Sequence, residues 1–314
     1  MVPVKHSKVQ YRIASARPHD VGRVPLIELA AAALLRGHAP DSVLAETTSE
    51  EELLRASRQG LLWVALADDV AVGFALVRII DGRTAHLEEV DVLPEHGRRG
   101  LGTRLVAHAC RWAETNGFEC VTLTTFRDVP WNRPFYERLG FRVMCTTELS
   151  PKLHAIVDGE TRRGLDPARR VVMRRWTLHR AEPTPGDVQY LEDRIYEYNS
   201  RVTGIADGAL LGFFVRSDDR IVAGIYGNTW GGTCEVRLFW VEESLRGQGL
   251  GTSLLAAAER EAVRRGCTQM TLMTFSFQAP RFYGKHGFEI VATLENHPDG
   301  HQNLLLRKTL QTRT

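Results

Sequence analysis

The sequence predicts an α+β chain of two tandem domains, each a mixed, mostly antiparallel twisted sheet flanked by helices. Three observations carry this. Arg98-Arg99-Gly100-Leu101-Gly102-Thr103 recurs as Gly247-Gln248-Gly249-Leu250-Gly251-Thr252, and the pairs Gly100/Gly249, Gly102/Gly251, Gly117/Gly266 and Phe126/Phe275 all keep a spacing of 149. Strand-like runs precede each copy, separated by turns too short for anything but an antiparallel meander. An apolar-striped helix, another strand-like run and a Phe-Tyr element ending in Gly-Phe follow each copy, Phe135-Tyr136 meeting Phe282-Tyr283 at a spacing of 147. The two-residue difference marks a loop of variable length. The chain reads as a fused duplication.

In the first half, Gln10 to Ala16 alternates apolar and polar residues, as a half-buried strand does. Pro25 to Arg36 is dense in Leu, Ile and Ala and reads as a helix. Ser49 and Glu52 have capping-box spacing ahead of Leu53 and Leu54, so a second helix starts there and Gly60 closes it. Strands follow at Leu61 to Ala67, Val70 to Ile80 and Ala85 to Leu93, turned at Asp68-Asp69 and Asp81-Gly82. Leu101, Leu105, Val106, Ala109 and Trp112 then share one helical face, with Gly117 beyond its C-terminus. Glu119 to Phe126 is a strand, Pro134 to Leu139 a short helix and Phe141 to Glu148 a strand. Ser150 to Arg169 reads as a long connection to a last strand at Arg170 to Leu178.

Pro183, Pro185 and Gly186 place a linker at His179 to Asp187, giving domains 1–179 and 187–314. The second half opens on one helix, Val188 to Arg201, with the leading strand missing. Strands are expected at Leu210 to Arg216, Ile221 to Trp230, Thr233 to Val241, Gln269 to Phe275, Phe288 to Leu294 and Asn303 to Lys308, with a helix from Leu250 to Gly266. Tyr226, Trp230, Phe239 and Trp240 are expected in its core.

Composition bounds the function. With 43% hydrophobic and 25% charged residues over 314 positions, both halves can bury a core. The formal charge of +2 gives no global case for nucleic acid or an anionic membrane. No apolar run is long enough to span a bilayer and no signal-peptide core is present, so a cytoplasmic protein is expected. Cys110, Cys120, Cys145, Cys234 and Cys267 are odd in number, lack Cys-x-x-Cys spacing and read as buried reduced thiols. Nothing in the His, Cys and Asp spacing suggests a metal site. The one dense basic tract, Arg162, Arg163, Arg169, Arg170, Arg174 and Arg175, reads first as solvated loop and strand residues and second as a contact for a phosphate-bearing partner. His154, His297 and His301 fall in late loops and read as solvated or structural.

In both copies a strand ends, at Val92 or Val241, a glycine-rich turn follows, and a helix starts at once. Such a turn aims several N–H groups and the positive end of the helix dipole at one point, and glycine supplies the backbone angles and the close approach. The site fits an anion such as a pyrophosphate. No Gly-Lys-Ser/Thr follows, which disfavours a nucleoside-triphosphate loop, and an antiparallel meander is not the βαβ unit of a dinucleotide fold.

At these residues the chain resembles the GNAT superfamily of acyl-CoA-dependent N-acetyltransferases. The family pattern is Arg or Gln, two variable residues, Gly, one variable residue, then Gly or Ala. Arg246-Gly247-Gln248-Gly249-Leu250-Gly251 matches it throughout, whereas the first copy has Gly97 at the leading position. The resemblance implies acetyl-CoA as cosubstrate, bound where two neighbouring parallel strands splay. In the first half these are Ala85 to Leu93 and Glu119 to Phe126; in the second, Thr233 to Val241 and Gln269 to Phe275. It implies that Arg98, Arg99, Gly100, Leu101, Gly102 and Thr103, and Arg246, Gly247, Gln248, Gly249, Leu250, Gly251 and Thr252, hold the diphosphate, while amides near Val92 and Val241 polarise the thioester. Asn132 and Gln278 lie where the family contacts the pantetheine arm, and Tyr136 and Tyr283 are the implied acids for the departing thiolate.

An amine attacks only when neutral, so a base must take its proton. Glu88, Glu89 and Asp91 are candidates in the first half, Glu89 favoured; Glu235 is the strand candidate in the second, with Glu242 and Glu243 at the lip. The expected reaction is direct attack, in a ternary complex, by a primary amine of a small molecule of amino-sugar, amino-acid or polyamine type. Acetylation of protein or tRNA, and one half reduced to a non-catalytic acyl-CoA-binding scaffold, are the alternatives. The acyl-chain preference and the oligomeric state are left open.

Overall fold

A computed structural model describes residues 9–311. The chain divides between Ala181 and Glu182 into two units, each built on its own sheet.

The first unit opens with β1 (Tyr11–Ser15) and four helices, α1 (Pro18–Val21), α2 (Val24–Ala32), α3 (Asp41–Leu44) and α4 (Glu50–Arg58). Ser49 caps α4 as its spacing predicts, its Oγ accepting the Glu52 N–H at 3.3 Å. Then come the meander β2 (Leu62–Ala67), β3 (Val70–Ile79) and β4 (Thr84–Val92), α5 (Leu101–Thr115), β5 (Cys120–Phe126), α6 (Arg133–Arg138), β6 (Arg142–Val143), α7 (Pro151–Arg162) and β7 (Arg170–Trp176). The strand order is β1-β2-β3-β4-β5-β7-β6, antiparallel throughout except for β4 beside β5. Every residue of β2 is buried, because helices cover both faces of the sheet there.

Two readings change. Phe141 to Glu148 is not one strand: pairing stops at Val143, and the chain turns outward into a 3₁₀ turn that leaves Cys145 exposed, unlike the other four cysteines. The long connection holds α7, whose cap is the Ser150 Oγ accepting from Leu153 N–H. Leu153, Ile156 and Val157, at helical spacing, pack beneath it against Ile80 and Val172.

In the second unit α8 (Pro185–Thr203) starts inside the expected linker. Thr184 and Asp187 form a capping box, and Pro185 stands at the first helical position, where its missing N–H is no loss. There follow β8 (Ala209–Ser217), β9 (Arg220–Trp230), β10 (Thr233–Val241), α9 (Leu250–Arg264), β11 (Gln269–Phe275), α10 (Pro280–Lys285), β12 (Glu289–Glu295) and β13 (Gln302–Thr309). The order is β12-β13-β11-β10-β9-β8, with β10 and β11 parallel. Among the described residues no leading strand is present, and α8 alone precedes this sheet, its Glu192 pairing with Arg237 of β10 at 2.8 Å. Leu210, Phe214, Leu238 and Trp240 are exposed on β8 and β10. Trp240 therefore leaves the expected core, whereas Phe239 packs against Phe282 and Tyr283.

Among the described residues no helix is long and apolar enough to cross a membrane, and no group of His, Cys, Asp or Glu is arranged to hold a metal ion.

Candidate active site

The duplication places the same device in both sheets. β4 and β5 pair only over Thr84 to His86 against Cys120 to Thr122, yet run on to Val92 and Phe126; β10 and β11 pair over Thr233 to Val236 against Gln269 to Leu272 and run on to Val241 and Phe275. Beyond those points each pair opens into a wedge. A bulge in the outgoing strand marks the opening, at Glu88 in β4 and at Arg237 in β10, and 149 residues again separate the two. The Leu93 N–H goes to the Val72 carbonyl and the Glu242 N–H to that of Val222, both at 2.9 Å. By strand alternation the N–H groups of Val92 and Val241 face the wedge.

At the mouth of each wedge lies a nest of donors. None of the N–H groups from Arg98 to Thr103, or from Gly247 to Thr252, has a protein partner among the described residues. They surround the N-terminus of a 15-residue helix in each unit, where the dipole favours an anion. Gly100 and Gly249 stand at the N-caps with φ of 76° and 85°, in the left-handed region that favours glycine. Gly247 has φ 78°, and its counterpart Arg98 takes φ 56° despite its side chain. A Cβ on Gly102 or Gly251 would lie 3.5 Å from Phe135 or Phe282, so the second motif glycine brings the helix start against the aromatic element. Open donors, fixed backbone angles and room at the helix start fit a diphosphate in both units.

The two wedges differ in their chemistry. In the first unit a cavity of about 650 Å³ lies against β4, lined by Glu28, Glu88, Glu89 and Asp91 with His86, Glu160 and Arg170. Burial, with Asp91 and Glu28 beside it, pushes the Glu89 carboxyl up to about 10; burial pushes Asp91 up to about 7. Burial also raises Glu88, against the pull of Arg78 2.9 Å away. The Tyr136 hydroxyl is raised by burial and then by Asp91 and Glu89, so it stays protonated beside the same carboxyls. His86, buried and 3.0 Å from Thr122 Oγ1, is driven down to about 3 and is neutral. A larger hollow of about 870 Å³ shares Glu52, Arg78 and Glu88 but contains neither Glu89 nor Asp91, and we place no chemistry there.

In the second unit the matching positions of Glu89 and Asp91 are Leu238 and Trp240. Glu235 matches His86, stands within the still-paired part of the ladder opposite Thr271, and is exposed. The Tyr283 hydroxyl is raised to about 12 by burial alone, with no carboxyl contributing. The structure thus sets Glu89 and Asp91 in one cavity, with their charge felt at Tyr136, whereas no carboxyl acts on Tyr283. Glu242 is taken by Arg220 at 3.1 Å. Arg246 donates to the Val241 carbonyl at 3.1 Å and stacks on Trp240. Gln278 ties the end of β11, its Oε1 accepting from Phe275 N–H and Thr274 Oγ1. Asn132 stands at the start of α6, its side chain making no cap bond.

Against the acetyltransferase (GNAT) family model the chain matches twice, over residues 31–141 and 173–288. The chain belongs to the GNAT family. It is 36% identical over 105 residues to acetyltransferase Atu2258 of Agrobacterium fabrum, covering 33% of this chain and 77% of that protein. It is also 36% identical over 91 residues to a blasticidin-S acetyltransferase of Streptomyces morookaense, covering 29% and 67%. Among solved structures, the PaiA N-acetyltransferase of Thermoplasma acidophilum in complex with coenzyme A matches at 18% identity and TM-score 0.43, covering 53% of this chain and 99% of that one. As a GNAT-family protein it is an acyltransferase, and acetyl-CoA is its cosubstrate, supplying an activated thioester.

Four residues of this cavity were not singled out for it by the sequence. Glu28 left a signal: it is the one carboxylate on the buried stripe Val24, Ile27, Glu28 and Ala31 of an otherwise apolar GNAT helix. His86 and the Arg170–Glu160 pair left none, since only the fold brings β4, β7 and α7 around one cavity. Five of the six arginines of the basic tract are paired: Arg163 with Glu46, Arg169 with Asp128, Arg170 with Glu160, Arg174 with Glu148 and Arg175 with Glu114. That leaves little free charge for a phosphate-bearing partner.

Proposed function

We propose that the first unit transfers acetyl from acetyl-CoA to a primary amine of a small molecule, by direct attack in a ternary complex. The second unit keeps the diphosphate nest but not the acid–base groups. The observation that carries this is the cavity holding Glu89 and Asp91, whose charge reaches Tyr136, against Leu238, Trp240 and a Tyr283 that no carboxyl affects in the second unit. Glu89 takes the proton of the attacking nitrogen, the Val92 amide steadies the oxyanion, and Tyr136 returns a proton to the leaving thiolate. A concave cavity of about 650 Å³, open at its mouth, has the size of a small-molecule site and favours a small acceptor. The blasticidin-S relative, and an aminoglycoside N(6′)-acetyltransferase of Salmonella typhimurium 31% identical over 113 residues, support an amine on a small molecule. A thiol-release screen over amine classes tests the reading, with Tyr136→Phe and Tyr283→Phe made singly. Turnover confined to protein or RNA acceptors, or abolished by Tyr283→Phe alone, would overturn it.

A further inference from the structure

Glu28 has no role in the reaction as described so far, yet its position is expensive. It is only 2% exposed, on the inward stripe of α2 among apolar neighbours. Its Oε2 accepts the Thr48 N–H at 3.0 Å, while its Oε1 is buried with no partner. A carboxylate oxygen left so is costly unless something arrives to satisfy it. Glu28 lines the cavity beside Glu89 and Asp91, and both Glu28 and Asp91 lie within hydrogen-bonding reach of Glu89.

The cations of the cavity wall are already taken. Arg78 serves Glu52 and Glu88, Arg163 serves Glu46, and Arg170 holds Glu160 through two bonds of 2.6 and 3.0 Å while also donating to Thr124 Oγ1. His86 is neutral. Among the described residues Glu28, Glu89 and Asp91 are therefore three carboxyls without a cation, served by the Thr48 N–H on Glu28 and by the acid proton of Glu89. They are not arranged to hold a metal ion. The ligand that suits three converging carboxyls is a primary alkylammonium, which carries three N–H donors on one cationic nitrogen.

We propose that Glu28, Glu89 and Asp91 form a tripod that receives the acceptor as a primary alkylammonium ion, with Glu28 a positioning residue that selects aliphatic amines over weakly basic aryl amines. This rests on the reading of the first unit as the amine-acetylating one. As the ammonium enters, the proton shared by the carboxyls leaves to solvent. Glu89, freed of it, can then take the proton of the nitrogen it grips.

The test uses the full chain without acetyl-CoA and a minimal probe. Methylammonium chloride at about 100 mM should raise the melting temperature by about 2 °C or more over sodium chloride of equal ionic strength. Tetramethylammonium chloride, which has no N–H, should behave like sodium chloride. Glu28→Gln, which keeps the Thr48 bond and the side-chain shape, should remove the difference while leaving the affinity for coenzyme A intact. In turnover, Glu28→Gln should raise KM for benzylamine about tenfold, more than it lowers kcat, and leave KM for aniline unmoved. An equal response to methylammonium and sodium, or a response that survives Glu28→Gln, overturns the tripod. The two readings fail separately. Thiol release without the methylammonium effect sinks the tripod alone, and the effect without thiol release from any amine sinks the proposed function alone.

Discussion

The Glu89→Gln variant should be less sensitive to alkaline pH than the wild type, and the sign follows from the structure. Burial and two neighbouring carboxyls lift Glu89 to about 10, far above an ordinary glutamic acid. A group raised in the folded state contributes stability that is complete below its unfolded pKa and is lost as pH rises through the folded one. Between about pH 7 and about pH 9 the unfolded chain has released this proton and the native protein still holds it. His86, driven down to about 3, is neutral across that window, and Asp91, at about 7, is ionised over most of it. One extra bound proton removes about 1.4 kcal/mol of stability per pH unit, hence about 3 kcal/mol across the window. Water enters the cavity mouth and Glu89 is only half-buried, so this is a ceiling. For a unit of this size it corresponds to a fall in melting temperature of about 6 to 12 °C that the Gln variant escapes. Calorimetric melts of both proteins across the window measure it. If the two lose stability in parallel, Glu89 is already ionised in the native state, and the picture of a closed carboxyl well fails.

Three further outcomes follow from the geometry. Tyr136→Phe should lower kcat by roughly 100-fold or more, whereas Tyr283→Phe should leave steady-state turnover within about twofold, as read by thiol release. Glu160→Ala strands the Arg170 guanidinium, the pair being 11% and 12% exposed, and should lower the stability of the first unit by about 3 kcal/mol in denaturant titration. Gly227→Ala drives a Cβ into the Glu235 carbonyl oxygen beside the β10 bulge, so it should lower the stability of the second unit by roughly 1 to 3 kcal/mol in denaturant titration, and an unchanged stability would show that the bulge can shift.

The duplication, the meander, the capped helices and both glycine nests could be read from the sequence, because local rules govern them. Turn residues set strand ends, Ser49 sets a helix start, and glycine at Gly100 and Gly249 permits the backbone angles the nest requires. Where local signals conflicted, the reading erred. Ser150 and Pro151 announce α7, yet glycine and arginine nearby look like loop, and burial of Leu153 against β7 settles the helix. Pro185, taken as linker, is a helix start because Thr184 and Asp187 cap it.

The site divides along the same line. Sequence determined that two anion nests exist and that Tyr136 and Tyr283 accompany them, since each is a contiguous segment repeated in register. Sequence also puts Leu238 and Trp240 where the first copy has Glu89 and Asp91, and only tertiary structure decided what surrounds those two carboxyls. The bulge is common to both units, and Glu89 meets Glu28 because α2 packs against β4. Proton affinity belongs to the surroundings of a carboxyl rather than to the residue itself, and those surroundings here come from segments about 60 residues apart in the chain.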